Sequence, residues 1–148
     1  MKHVVKYAVA AAALLAAGCC PCRFSTKHAK PLVGTVWHLV QLSGTDIDAT
    51  PSLFDIEFRA DGKLSGTGAC NRFDATYTTT DTHAIEIGTI ASTRMMCPDS
   101  EREQKLFREL DDATHYEIDG PMLLILNDGE IRAIFKAVEP AASEKSAE

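Results

Sequence analysis

The chain has no surplus of positive charge. Its 148 residues hold 15 lysines and arginines against 21 acids, a net charge of −6. An acidic domain without a basic stripe is excluded from ordinary nucleic-acid binding, which phosphate neutralisation drives. The 5 histidines show no metal-binding spacing: none sits three or four residues from another histidine, or from a cysteine with a matching partner set, so no metal and no cofactor is expected. Neither a Gly-x-Ser-x-Gly elbow nor a His-Glu-x-x-His helix is present, so catalysis is not expected either. There is no internal repeat and no low-complexity tract within the central part of the chain. Cysteine is scarce outside one place. Of 5, three (Cys19, Cys20, Cys22) cluster near the start, leaving only Cys70 and Cys97 for the rest.

The first residues are set apart from the domain. Lys2, His3 and Lys6 precede an apolar run of 11 residues, 7–17. That run is too short to span a bilayer and suits the h-region of a signal peptide. It ends in Leu14-Leu15-Ala16-Ala17-Gly18-Cys19, which resembles the lipobox of bacterial lipoproteins, with Ala16 where leucine is commoner. The resemblance implies residues 1–18 as signal peptide, cleavage before Cys19, and lipidation of Cys19, including palmitate. Ordinary secretion and a short membrane anchor are the plainer alternatives. Cleavage would remove Lys2 and Lys6 and no acid, leaving 13 basic and 21 acidic residues and a net charge of −8. Membrane association is then expected from the lipid rather than from charge, and several acyl chains make such an anchor stable. Cys20, following the lipidated position, is not the aspartate that retains some lipoproteins at the inner membrane. The expected location is therefore the bacterial cell envelope, at the outer membrane facing the periplasm. Cys20 and Cys22 could form intermolecular disulfides, take another lipid or stay free.

Residues 19–31 read as a tether, 32–137 as the folded domain, and 138–148 as a disordered tail. The domain is predicted to be α+β and β-rich: about eight short antiparallel strands forming a curved sheet or partial barrel, with one packed helix. Residues 35–42 are apolar on both faces, as a central strand would be. Phe54, Ile56 and Phe58 alternate with Asp55, Glu57 and Arg59, the period of a half-buried strand. Asp61-Gly62 turns into residues 63–71, and Phe73, Ala75 and Tyr77 alternate in the next strand. Further strands are expected at 83–90, around Tyr116 and Ile118, at 122–126 and, after the Asp128-Gly129 hairpin, at 131–137. Ser100 with Glu103 has the capping-box spacing, and Leu106, Phe107, Leu110 and Ala113 make an apolar stripe, so a helix starts there and packs on the sheet. Trp37, Phe54, Phe58 and Phe73 are read as core. Asp111 and Asp112 are read as solvated.

The two isolated thiols pose a choice. Export places them in an oxidising compartment, where cysteine pairs persist as disulfides. A Cys70–Cys97 bond would contribute roughly 3–4 kcal/mol by loop-closure entropy. The other reading is a catalytic cysteine with His38, His83 or His115 as base, for which the sequence offers no evidence of proximity. The staple is the favoured reading.

The segments around these cysteines carry a family resemblance. Gly34-Thr35-Val36-Trp37-His38-Leu39, then Gly66 to Cys70-Asn71-Arg72-Phe73, then Ser92-Thr93-Arg94-Met95-Met96-Cys97 resemble the META domain of HslJ-like heat-shock lipoproteins, over roughly residues 32–136. The cysteine elements are specific as a pair and weak apart. The resemblance implies a β-rich fold with a helix, a disulfide between the two cysteines, and roles in heat-shock response, novobiocin resistance or motility. It implies no enzymatic activity and no ligand.

Near that disulfide, Asn71, Arg72 and Arg94 are the candidate binding residues, since arginine offers a rigid donor fork for an anion or a peptide carboxylate. The plainer reading is that they satisfy buried backbone and acids. Gly66 and Gly68 lack the third glycine and the following helix of a nucleotide loop, and are read as close-packing or bulge positions in a strand. The expected function is non-enzymatic: a monomeric, lipid-anchored stress-response or envelope-assembly module holding a protein or peptide partner, which an exposed β-edge could receive by strand addition. Two alternatives are an inhibitor-like module against a cell-wall-degrading enzyme, and an antibiotic or other small-molecule binder using a pocket between sheet and helix.

Overall fold

The computed structural model describes residues 29–50 and 52–138. The expected leader, the cysteines at 19, 20 and 22, most of the tether and the tail from 139 lie outside the described residues. Ten strands and one helix follow in chain order: β1 (Val36–Leu42), β2 (Thr45–Asp46), β3 (Asp55–Phe58), β4 (Lys63–Thr67), β5 (Arg72–Thr79), β6 (Ile85–Ile87), β7 (Ala91–Ser92), α1 (Ser100–Asp111), β8 (His115–Asp119), β9 (Met122–Asn127) and β10 (Glu130–Ala137). The α+β, β-rich fold expected from the sequence is the fold observed.

All strand ladders are antiparallel and run β6-β5-β4-β3-β1-β10-β9-β8. The ends of this path nearly meet. An Ala84–His115 bridge joins them, with the Ile85 N–H donating to the Thr114 carbonyl (2.9 Å) and the Tyr116 N–H to the His83 carbonyl (3.0 Å). The sheet is thus an almost closed barrel. Strand alternation places Ile118's backbone groups on the same side as Tyr116's, yet β8 forms its ladder with β9 alone, so the seam opens beyond Tyr116.

Alternation fills the barrel. Trp37, Leu39, Phe54, Ile56, Phe58, Leu64, Phe73, Ile125 and Phe135 are all at most 2 % exposed, including the four aromatics read as core. β1 lies between β3 and β10, as its apolar character suggested. A bulge between Leu39 and Gln41 resets its alternation, so Leu42 also points inward. Leu106 and Leu110 of α1 are fully buried. Phe107 meets Phe73 edge-on, with ring centroids 4.9 Å apart. Asp111 and Asp112 are exposed, as expected.

Local chemistry explains the turns. Asp128 and Gly129 both have positive φ (49° and 84°), the two-residue hairpin geometry that an Asp-Gly pair supplies. The two strands beyond the expected eight are β2 and β7, each of two residues. Such short pieces carry no periodicity and were not legible. The predicted strand at 83–90 is shorter than expected, pairing as β6 over Ile85–Ile87 only; β7 lies just past its predicted end and pairs with Phe73 and Asp74.

Candidate functional site

Cys70 and Cys97 form a disulfide, with Cα atoms 6.3 Å apart and a sequence separation of 27. It ties the loop between β4 and β5 to the segment leading into α1. Neither thiol is free to act as a nucleophile in this form, and the three histidines considered as bases are engaged elsewhere. His38 Nδ1 lies 2.5 Å from Asp55 Oδ1, His83 packs on the Tyr116 ring, and His115 contacts Thr114.

Beneath the disulfide lies a buried polar pair. Asn71 is 5 % exposed and Glu103 3 %. The Asn71 amide donates to Glu103 Oε1 (2.6 Å) and to the Met95 carbonyl (3.0 Å). Its oxygen accepts from the Thr93 hydroxyl and from the Met95 N–H, both at 2.7 Å. Glu103 Oε2 accepts the backbone N–H groups of Cys70 (3.0 Å) and Asn71 (2.9 Å). Burial by itself would raise the Glu103 pKa. The N–H of Cys70, the Asn71 amide and the N–H groups of Asn71 and Ala69 stabilise the carboxylate and together outweigh burial, so the pKa lies below its ordinary value.

This arrangement corrects the capping-box reading. Ser100 is the first helical residue, Asp99 holds the N-cap position, and no side-chain cap bond forms. Glu103 instead turns its carboxylate to the 69–71 loop, where several N–H donors converge and a reciprocal cap offers one. Gly68 makes the approach possible, since a Cβ there would overlap the Glu103 carboxylate. At Gly66 a Cβ would sit 2.8 Å from the Phe73 ring. Both glycines are close-packing positions, Gly66 within β4 as read from the sequence and Gly68 just past its end, not in a strand.

The three candidate binding residues separate. Asn71 uses its amide donors and its oxygen on Glu103, Thr93 and Met95, holding the loop. Arg72 is exposed on the outer face of β5 and lines a shallow groove of about 500 Å³ with Arg59, Glu57 and Asp74. Arg94 is exposed in the 93–97 loop. Beside it, Met95 is 60 % and Met96 97 % exposed, although Asn71 and the disulfide fix the loop that carries them. Sequence reasoning quoted these methionines as part of a motif without recognising their exposure. A methionine pair next to a cysteine reads equally well as core. A second cleft, of about 430 Å³, lies between α1 and the β1–β2 region, with Arg102, Lys105 and Arg108 over Leu42 and Ile47. Among the described residues no cluster of metal-ligating side chains forms and no helix is long and apolar enough to cross a membrane.

A small antiparallel barrel with a disulfide-linked helix is the class of protein defined by this fold. Residues 30–139 match the META domain, and the chain belongs to that family. It is similar in fold to a DUF4847-family protein from Bacteroides vulgatus (TM-score 0.57, 17 % identity, 72 % of this chain and 93 % of that one). It is also similar to a protein from Burkholderia xenovorans solved by NMR (TM-score 0.56, 23 % identity, 74 % and 85 % covered). No curated protein matches the chain.

Proposed function

We propose that this META-domain protein is a lipid-anchored, HslJ-like module of the bacterial envelope that acts by binding a protein partner rather than by catalysis, with the 94–96 loop as its contact surface. The observation that carries this reading is the Met96 side chain, 97 % exposed on a loop whose backbone is held by Asn71 and by Cys97. A large flexible apolar side chain suits a contact surface, and a backbone already ordered loses little entropy when the partner arrives. Arg94 and Arg72 add positive charge to an otherwise acidic chain, favouring a partner with acidic residues around an apolar anchor.

The test is a photo-crosslinking residue at position 96 of the full chain in intact envelopes. A discrete protein adduct that disappears with Arg94→Glu supports the reading. No adduct from position 96, or one indifferent to Arg94→Glu, overturns it. If the captured protein is a cell-wall-degrading enzyme inhibited by the chain, the inhibitor alternative replaces the stress-response one.

A further inference from the structure

A different part of the barrel carries a second site, independent of the 94–96 loop. Asp55, His38 and Lys136 lie in one row across three adjacent strands, because His38 is registered with Asp55 on β3 and with Lys136 on β10. Their chain neighbours Trp37, Leu39, Ile56 and Phe135 are buried in the barrel, so strand alternation turns the row outward. Outside this row is a cavity of about 300 Å³ lined by these three residues with Ser52, Ala137 and Val138. Its walls are mostly apolar.

We propose that this cavity binds a small ligand carrying a carboxylate on an apolar body. His38 Nδ1 faces Asp55 Oδ1 at 2.5 Å, and both side chains are about one-fifth exposed. The carboxylate accepts from Nδ1–H, which fixes the ring and leaves Nε2 as its unpaired position. Asp55 Oδ1 is occupied by this contact. Lys136 forms no ion pair among the described residues and brings a positive charge to the rim. The Ser52 hydroxyl adds a further donor. Ser52 is itself held in place, with φ +73° and its carbonyl accepting from the Thr67 hydroxyl at 2.8 Å. An ammonium and a hydroxyl at one end form a donor pair matched to a carboxylate. Ala137 and Val138 receive the hydrocarbon part. The volume is at the small end for ligand sites, which restricts the body to a short chain or a single ring.

The experiment is an NMR titration of the uniformly labelled full chain with hexanoate, and with hexanol and hexylamine as comparators of the same length. Hexanoate is expected to shift the amide signals of His38, Asp55, Ala137 and Val138 saturably, and Lys136→Met to weaken it about tenfold, the loss of one charge-assisted contact. Lys136 is exposed, so the variant should keep the parent amide spectrum. The proposal is overturned by the absence of saturation with hexanoate, by equal or tighter binding of hexylamine, by undiminished binding to Lys136→Met, or by shifts centred on Arg102, Lys105 and Arg108 instead.

Discussion

Asn71 and Glu103, 32 residues apart in sequence, share a buried hydrogen bond of 2.6 Å that joins the loop bearing one cysteine to the helix following the other. The pair organises the site beneath the disulfide, because each side chain also holds the other's neighbourhood: Asn71 grips Met95 on both backbone groups, and Glu103 gathers the N–H groups of residues 70 and 71.

Glu103→Gln tests that pair. The substitution keeps the shape but turns an amide donor toward groups that are themselves donors, and such loss of a buried charged acceptor costs about 3 kcal/mol. Equilibrium denaturation at neutral pH should show that loss.

Acid should act through the same carboxylate. Its pKa in the fold lies below the ordinary 4.5, so its contribution is fully present above the unfolded value and is lost as pH falls through the depressed folded one. Stability measured from pH 6 downward should decline below about pH 4.5 in the parent protein, and the gap between parent and Glu103→Gln should narrow over the same range. A constant gap would mean that the carboxylate charge is not what the 69–71 loop recognises.

The disulfide and the polar pair are separable. Replacing Cys70 and Cys97 together by serine should lower stability by roughly 3–4 kcal/mol, the loop-closure value for a 27-residue separation. The far-ultraviolet spectrum of the barrel should persist, since the Asn71 bonds to Met95 and Glu103 remain. Added reductant should lower the parent by a similar amount and leave the double variant unchanged.

Gly68→Ala is the steric counterpart. A methyl group there overlaps the Glu103 carboxylate, and overpacking of this kind destabilises by about 1–3 kcal/mol. Combined with Glu103→Ala, which vacates the space, the alanine at 68 should do much less harm. Additive losses in that double-mutant cycle would exclude the contact as the cause.

The proposed anchor has its own test. Labelled palmitate should be incorporated into the full chain and lost with Cys19→Ser, while the folded domain's melting temperature is unaffected by that change.

Local pattern determined much of this protein. The alternation of Phe54, Ile56 and Phe58, the Asp-Gly turn at 128–129 and the apolar stripe of α1 are short-range consequences of side-chain periodicity and backbone sterics, so eight strands and the helix could be read directly. The two cysteine segments, with their neighbours, were enough to indicate the family. What the tertiary structure alone decided is where long-range partners meet. Glu103 has the spacing of a helix cap and becomes the acceptor for a distant loop, because several converging N–H groups outweigh one. His38 and Asp55 acquire their relationship only through strand register. Met96 has the composition of a core residue and stands in solvent, because the disulfide and Asn71 dictate the path of its backbone. Periodicity acts over a few residues; register, a crosslink and a buried charge act across the whole chain, and only the folded barrel brings them together.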